Sequence, residues 1–237
     1  HYSGMEDTGE EKVVELTAED ANTQTDKPTE EIETKQEEDK AVEEAKKQLQ
    51  KEEAQAAFTK KIDTFIEQAQ KYKEEGNAFF KSGDLQKARS KYTRVFAFTK
   101  GIVGQNDKGG DGMVSMAQKG LGGAETDESV VTAAREIERD VYSNMAMVFI
   151  KEENWTKAVE KATCSLNIEK TVKGYFRRGK AYAMKNDYEN AYKDFEEGKK
   201  LDEDSVKMFE SEIEKTKKKE KEYDKKVSKA YAGFFNK

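Results

Sequence analysis

Five side chains in this sequence could hold a carboxylate together. Lys73 and Asn77 lie four residues apart, Asn144 stands alone further on, and Lys173 and Arg177 are again four apart. On a helix, a spacing of four puts both residues of a pair on one face. Lysine and arginine supply positive charge, arginine through a planar fork that matches a carboxylate, and asparagine amides donate hydrogen bonds without adding charge. A set of that composition suits the acidic end of a peptide. It is poorly suited to catalysis. The sole histidine is residue 1, no metal-ligand spacing occurs, and no cofactor is implied.

These residues need helices to bring them together, and the chain repeats in a way that supplies them. Tyr175, Gly179 and Tyr182, followed by Ala191 and Phe195, set out a pair of packed helices. Tyr142, Ala146, Phe149 and Ala158 recur about 33 residues earlier, and Tyr72, Gly76, Phe79, Ala88 and Tyr92 form a third copy. The helices of each pair are joined by 82–84, 152–154 and 185–187, short polar turns followed by Leu85, Trp155 and Tyr188. The pattern is that of the tetratricopeptide repeat. The expected fold is therefore all-α, a solenoid of three repeats at about 69–100, 139–171 and 172–204. The first helix of each repeat lines a concave groove. All five candidate residues fall on such first helices.

Composition bounds the rest. Of 237 residues, 39% are charged, and mean hydropathy is −1.03 with net charge −6. Residues 1–57 carry 18 acidic and 7 basic side chains, so an acidic disordered arm is expected there, with a fluctuating solvated helix over 37–57 supported by pairs such as Glu43 with Lys47. The repeat domain is expected over 58–204, its opening helix extended back to Phe58. Residues 101–129 read as a glycine-rich insertion, since 101–123 hold eight of the sixteen glycines. Within it, 107–112 lack the closing carboxylate of a calcium loop, and 120–123 lack the lysine of a phosphate loop. Residues 205–237 read as a capping helix that becomes basic and amphipathic, with Tyr223, Val227, Tyr231, Phe234 and Phe235 as a stripe. That end could serve a calmodulin-type partner or an assembly scaffold. One cysteine, Cys164, no span of apolar residues long enough for a membrane and no signal pattern suggest the cytoplasm. The net charge argues against nucleic acid.

The finer resemblance is to co-chaperones. Lys73-Glu-Glu-Gly-Asn77, Tyr142-Ser-Asn144 and Lys173-Gly-Tyr-Phe-Arg177 resemble the five-residue dicarboxylate clamp of tetratricopeptide co-chaperone domains. In that family the clamp holds the Glu-Glu-Val-Asp tails of cytosolic heat-shock chaperones of 70 or 90 kDa. The resemblance implies that Lys73, Asn77 and Asn144 take the main-chain carboxylate and Lys173 and Arg177 the last Asp side chain, with Arg178 and Lys180 as accessory contacts. Residues 65–237 are most similar to the C-terminal half of large FKBP-type immunophilins, through Gly-Asn-Ala-Phe-Phe-Lys, Gly-Tyr-Phe-Arg-Arg-Gly-Lys-Ala and Lys-Ala-Tyr-Ala-Gly-Phe-Phe. No segment of mixed strands long enough for a prolyl-isomerase domain precedes the repeats here, so the chain is expected to be either a fragment of such a protein or a stand-alone adapter, with no enzyme activity assigned to these residues.

Overall fold

A computed structural model describes residues 27–103 and 126–235, with side chains over 35–103 and 126–232. Both lookalike loops, at 107–112 and 120–123, lie outside the described residues, as do Phe234 and Phe235 as side chains. Seven α-helices and one 3₁₀ turn occur among the described residues, and no strand. They are α1 (Lys27–Lys81), α2 (Leu85–Val103), α3 (Glu128–Lys151), α4 (Trp155–Ile168), α5 (Val172–Met184), α6 (Tyr188–Lys199) and α7 (Val206–Phe235).

The chain divides into two units, His1–Lys51 and Glu52–Lys237. In the first, the described residues are helical from Lys27, and every side chain from 35 to 51 is exposed. A disordered arm with a fluctuating helix over 37–57 was expected, and the helix instead starts at Lys27, ten residues earlier. Propensity and local ion pairing account for it: the segment is rich in Glu, Lys, Gln and Ala, and Lys47 Nζ lies 3.6 Å from Glu43.

In the second unit the three expected helix pairs are α1 with α2, α3 with α4, and α5 with α6. Each pair closes through the same turn. Asp84, Asn154 and Asp187 donate their backbone N–H to the carbonyls of Phe79, Phe149 and Tyr182, at 3.0, 2.8 and 2.9 Å. The residue before each, Gly83, Glu153 or Asn186, is left-handed, with φ of 84°, 56° and 64°. The same Asp84, Asn154 and Asp187 then cap the next helix, their side chains accepting from the backbone N–H of Lys87, Lys157 and Asn190. One three-residue stretch thus ends one helix and starts another.

Ala69, Ala88, Tyr92, Val95, Val141, Val148 and Ala158 form the central core. Phe58 and Ile62 on α1 pack with Ile102 on α2 and Val131 and Ala134 on α3 in a second cluster. The insertion expected from 101 consequently starts later: α2 runs to Val103, with Gly101 buried and Ile102 fully so. Glycine at 101 hid this helical turn from a composition reading. At the other end α7 caps the repeats. Phe209 is fully buried, its ring 6.1 Å from Phe195 and 6.0 Å from Phe176. Tyr192 donates to Glu220 at 2.7 Å, and Lys219 donates to the Ala183 carbonyl at 2.8 Å, at the C-terminal end of α5. Farther on Tyr231 is 65% exposed. Cys164 is half-buried and unpaired by disulfide.

Candidate functional site

Asn77, Asn144 and Arg177 meet across three repeats. The Asn144 amide donates to Asn77 Oδ1 at 2.9 Å, and Arg177 Nη1 donates to Asn144 Oδ1 at 3.1 Å and to Ser143 Oγ at 2.5 Å. Tyr92 completes the chain, its hydroxyl donating to Asn77 Oδ1 at 2.7 Å. Two donors on one carbonyl oxygen fix the amide, so the Asn77 NH₂ is left to donate elsewhere. Asn144, with its oxygen taken by Arg177, is oriented in the same sense. The arrangement fixes amide donors beside a cation.

Packing explains why Tyr92 reaches so far. A Cβ on Gly76 would lie 2.5 Å from Tyr92 Cε1, so the ring rests on bare backbone beside Asn77. Gly179 does the same for Phe195 in the third repeat, where a Cβ would stand 2.6 Å from Cε1. Only repeat one adds a hydroxyl to this contact. Burial pushes the Tyr92 phenol up to about 12, partly opposed by the positive charge of Arg177, so it remains a donor throughout the neutral range.

Arg177 is half-buried. Burial lowers its pKa from the usual value, with partial compensation from Tyr92 and Asp140, and its side-chain hydrogen bonds go to neutral oxygens. A guanidinium remains charged under these conditions. Lys73 Nζ lies 3.7 Å from Asp140 Oδ2, and Lys173 is exposed with no ion-pair partner among the described residues. Lys173 and Arg177 also line a cavity of about 440 Å³ with Met147, Val172, Phe176, Asp202, Asp204, Ser205 and Met208.

The accessory residues divide. Arg178 lies in the repeat interior: its guanidinium makes a two-point bond to Asp194, at 2.8 and 2.7 Å, and Asp194 is buried. The expectation of a ligand contact there is corrected, because α5 directs consecutive residues to different faces and α6 claims this one. Lys180 is half-buried, its Nζ 5.9 Å from the centre of the Phe176 ring. Three residues of the site were missed by sequence reading: Tyr92, Ser143 and Asp140. Tyr92 had been read only as packing. Asp140 stands four before Asn144, the spacing that picked out Lys73 and Arg177, and that signal was available.

A helical solenoid whose groove carries cations and oriented amides defines a class, the tetratricopeptide-repeat interaction domain. Residues 172–205 match the model of the tetratricopeptide repeat family, and the chain carries a domain of this kind. Among solved structures it resembles the C-terminal TPR-containing domain of a Plasmodium falciparum FK506-binding protein, at 22% identity and a TM-score of 0.53, covering 69% of this chain and 95% of that one. It also aligns with the second TPR of Spaghetti (RPAP3) bound to the HSP90 peptide SRMEEVD, at 22% identity and a TM-score of 0.41, covering 58% and 94%. Among curated proteins it is 27% identical over 147 residues to the peptidyl-prolyl cis-trans isomerase PASTICCINO1 of Arabidopsis thaliana. That match takes in 61% of this chain and spans a fifth of the relative's length.

Proposed function

We propose that this chain is a co-chaperone adapter that holds the acidic C-terminal tail of a cytosolic heat-shock chaperone, of the Glu-Glu-Val-Asp kind, in the groove of α1, α3 and α5. The observation that carries this reading is the Asn77–Asn144–Arg177 chain. Three repeats each contribute one polar residue, their acceptors are satisfied among themselves, and the remaining donors are left for an anion. A terminal carboxylate would accept from the Asn77 and Asn144 amides with Lys73 beside it. The last Asp side chain would be met by Lys173 and Arg177. The cytoplasm as its location belongs to the same proposal.

Calorimetric titration with Met-Glu-Glu-Val-Asp and with its C-terminal amide tests it. The free acid should bind and the amide should bind far more weakly. Lys173→Ala or Arg177→Ala should lose about 2–4 kcal/mol, because each leaves a largely desolvated carboxylate short of a charged partner. If either variant holds the free acid as well as the parent does, the assignment is wrong.

A further inference from the structure

The groove contains a carboxylate of its own. Stepping back one helical turn from each of Asn77, Asn144 and Arg177 gives Lys73, Asp140 and Lys173. Asn77 meets Asn144 while Lys73 meets Asp140, so α1 and α3 run parallel and these residues form a second tier below the first. On α3 the middle of that tier is negative. Asp140 is also held in place rather than loose. Arg139 donates to its Oδ1 from Nε at 3.1 Å and from Nη2 at 2.9 Å, and Arg139 is itself anchored by Glu169. With Oδ1 so fixed, Oδ2 is the oxygen turned to Lys73. The charge of Asp140 is also felt at Arg177.

We infer that Asp140 is a specificity-determining residue of the groove, a resident carboxylate that competes with the ligand's main-chain carboxylate for Lys73. The inference rests on the carboxylate-binding reading above. A ligand carboxylate arriving at Lys73 must displace a charge already there or sit beside it, and like charges a few ångströms apart at the protein surface repel appreciably. The penalty is largest at the Lys73 end, where Asp140 Oδ2 lies 3.7 Å from Nζ. Recognition therefore leans on Lys173 and Arg177, and the wild-type groove discriminates less sharply between a free and a blocked peptide end than its five donors would otherwise allow. Asp140 acts chiefly against a ligand with a free main-chain carboxylate, and a repulsion that falls on one ligand more than another sets selectivity.

The test is titration of the full chain with Met-Glu-Glu-Val-Asp and its amide at 0.15 M salt, using the parent, Asp140→Asn, Asp140→Ser and Lys73→Ala with and without Asp140→Asn. Asp140→Asn should tighten the free acid by roughly tenfold and the amide by no more than about twofold. In the Lys73→Ala background the gain should largely vanish. Asp140→Ser should reproduce the effect, which guards against a misfolded single variant. Equal or weaker binding by both Asp140 variants would overturn the inference, and weaker binding would show instead that Asp140 orients Lys73 for the ligand. An equal gain for acid and amide would also overturn it, leaving only a general change in groove potential. Failure of the underlying reading looks different: Arg177→Ala then binds like the parent, or no protein in the series binds the free acid, and in the latter case both ideas fall.

Discussion

One hydroxyl separates two otherwise matching contacts. Gly76 supports the Tyr92 ring and Gly179 supports the Phe195 ring, yet only the first ring carries an oxygen, and that oxygen sets the Asn77 amide. Tyr92→Phe should keep the packing and lose the orientation. We expect peptide affinity to fall by about 1 kcal/mol, the usual net worth of one hydrogen bond, with little change in melting. A variant that melts early instead would make Tyr92 a stabilising residue first. Arg178 behaves in the opposite way. Arg178→Ala leaves the buried Asp194 carboxylate without its two-point partner and should cost about 3 kcal/mol of stability in denaturant titration. Its effect on binding should follow only from that loss. At this scale the sequence was informative about charge and spacing, and it named all three residues of the Asn77–Asn144–Arg177 chain. It offered Arg178 as an accessory ligand contact and missed that this side chain is committed to α6, since that depends on where α6 places Asp194.

The helices show which signals survive translation into sequence and which do not. Turns at 82–84, 152–154 and 185–187 were legible because polar residues interrupt the apolar period, and all three close with the same hydrogen bonds. Their left-handed residue was not legible in the middle repeat. Glycine at 83 and asparagine at 186 advertise it, whereas Glu153 occupies φ of 56° with a side chain that disfavours it. Glu153→Gly should therefore stabilise the domain, by about 0.5–1 kcal/mol, measurable as a shifted urea midpoint. No gain would mean that Glu153 makes up its conformational cost through charge. The end of α2 was misread for the converse reason. Gly101 looks like the start of a glycine-rich connection, but Ile102 behind it is fully buried against Phe58 and Ile62, and tertiary packing overrides the local preference.

Taken whole, the molecule pairs a repeat unit with a leading segment of different character. Side chains from 35 to 51 are all exposed on their helix, and those from Phe58 onward begin to enter the core. Removing residues 1–51 should accordingly leave the thermal midpoint of the repeat unit within about 2 °C, given that roughly 1 kcal/mol moves a domain of this size by 2–4 °C. A larger drop would show that the leading segment contributes to the fold. Composition revealed that this segment lacks core residues, and the spacing of its Glu and Lys suggested helix over 37–57 but not the start at Lys27, because a solvated polar stretch carries no apolar period to mark its end.

The three-repeat origin of the groove chain has a consequence for modularity. Each repeat presents its own subset: Lys73 and Asn77, then Asn144, then Lys173 and Arg177, with Tyr92 and Ser143 bonding to residues presented by a neighbouring position or repeat. As building blocks the repeats share one turn, one cap and one glycine-on-ring contact in the outer two. As letters they differ, and only in this order do they spell a site. A chain with its repeats shuffled could stack into a respectable solenoid and yet have nothing to say to an acidic peptide, because recognition here is written in the order of the modules.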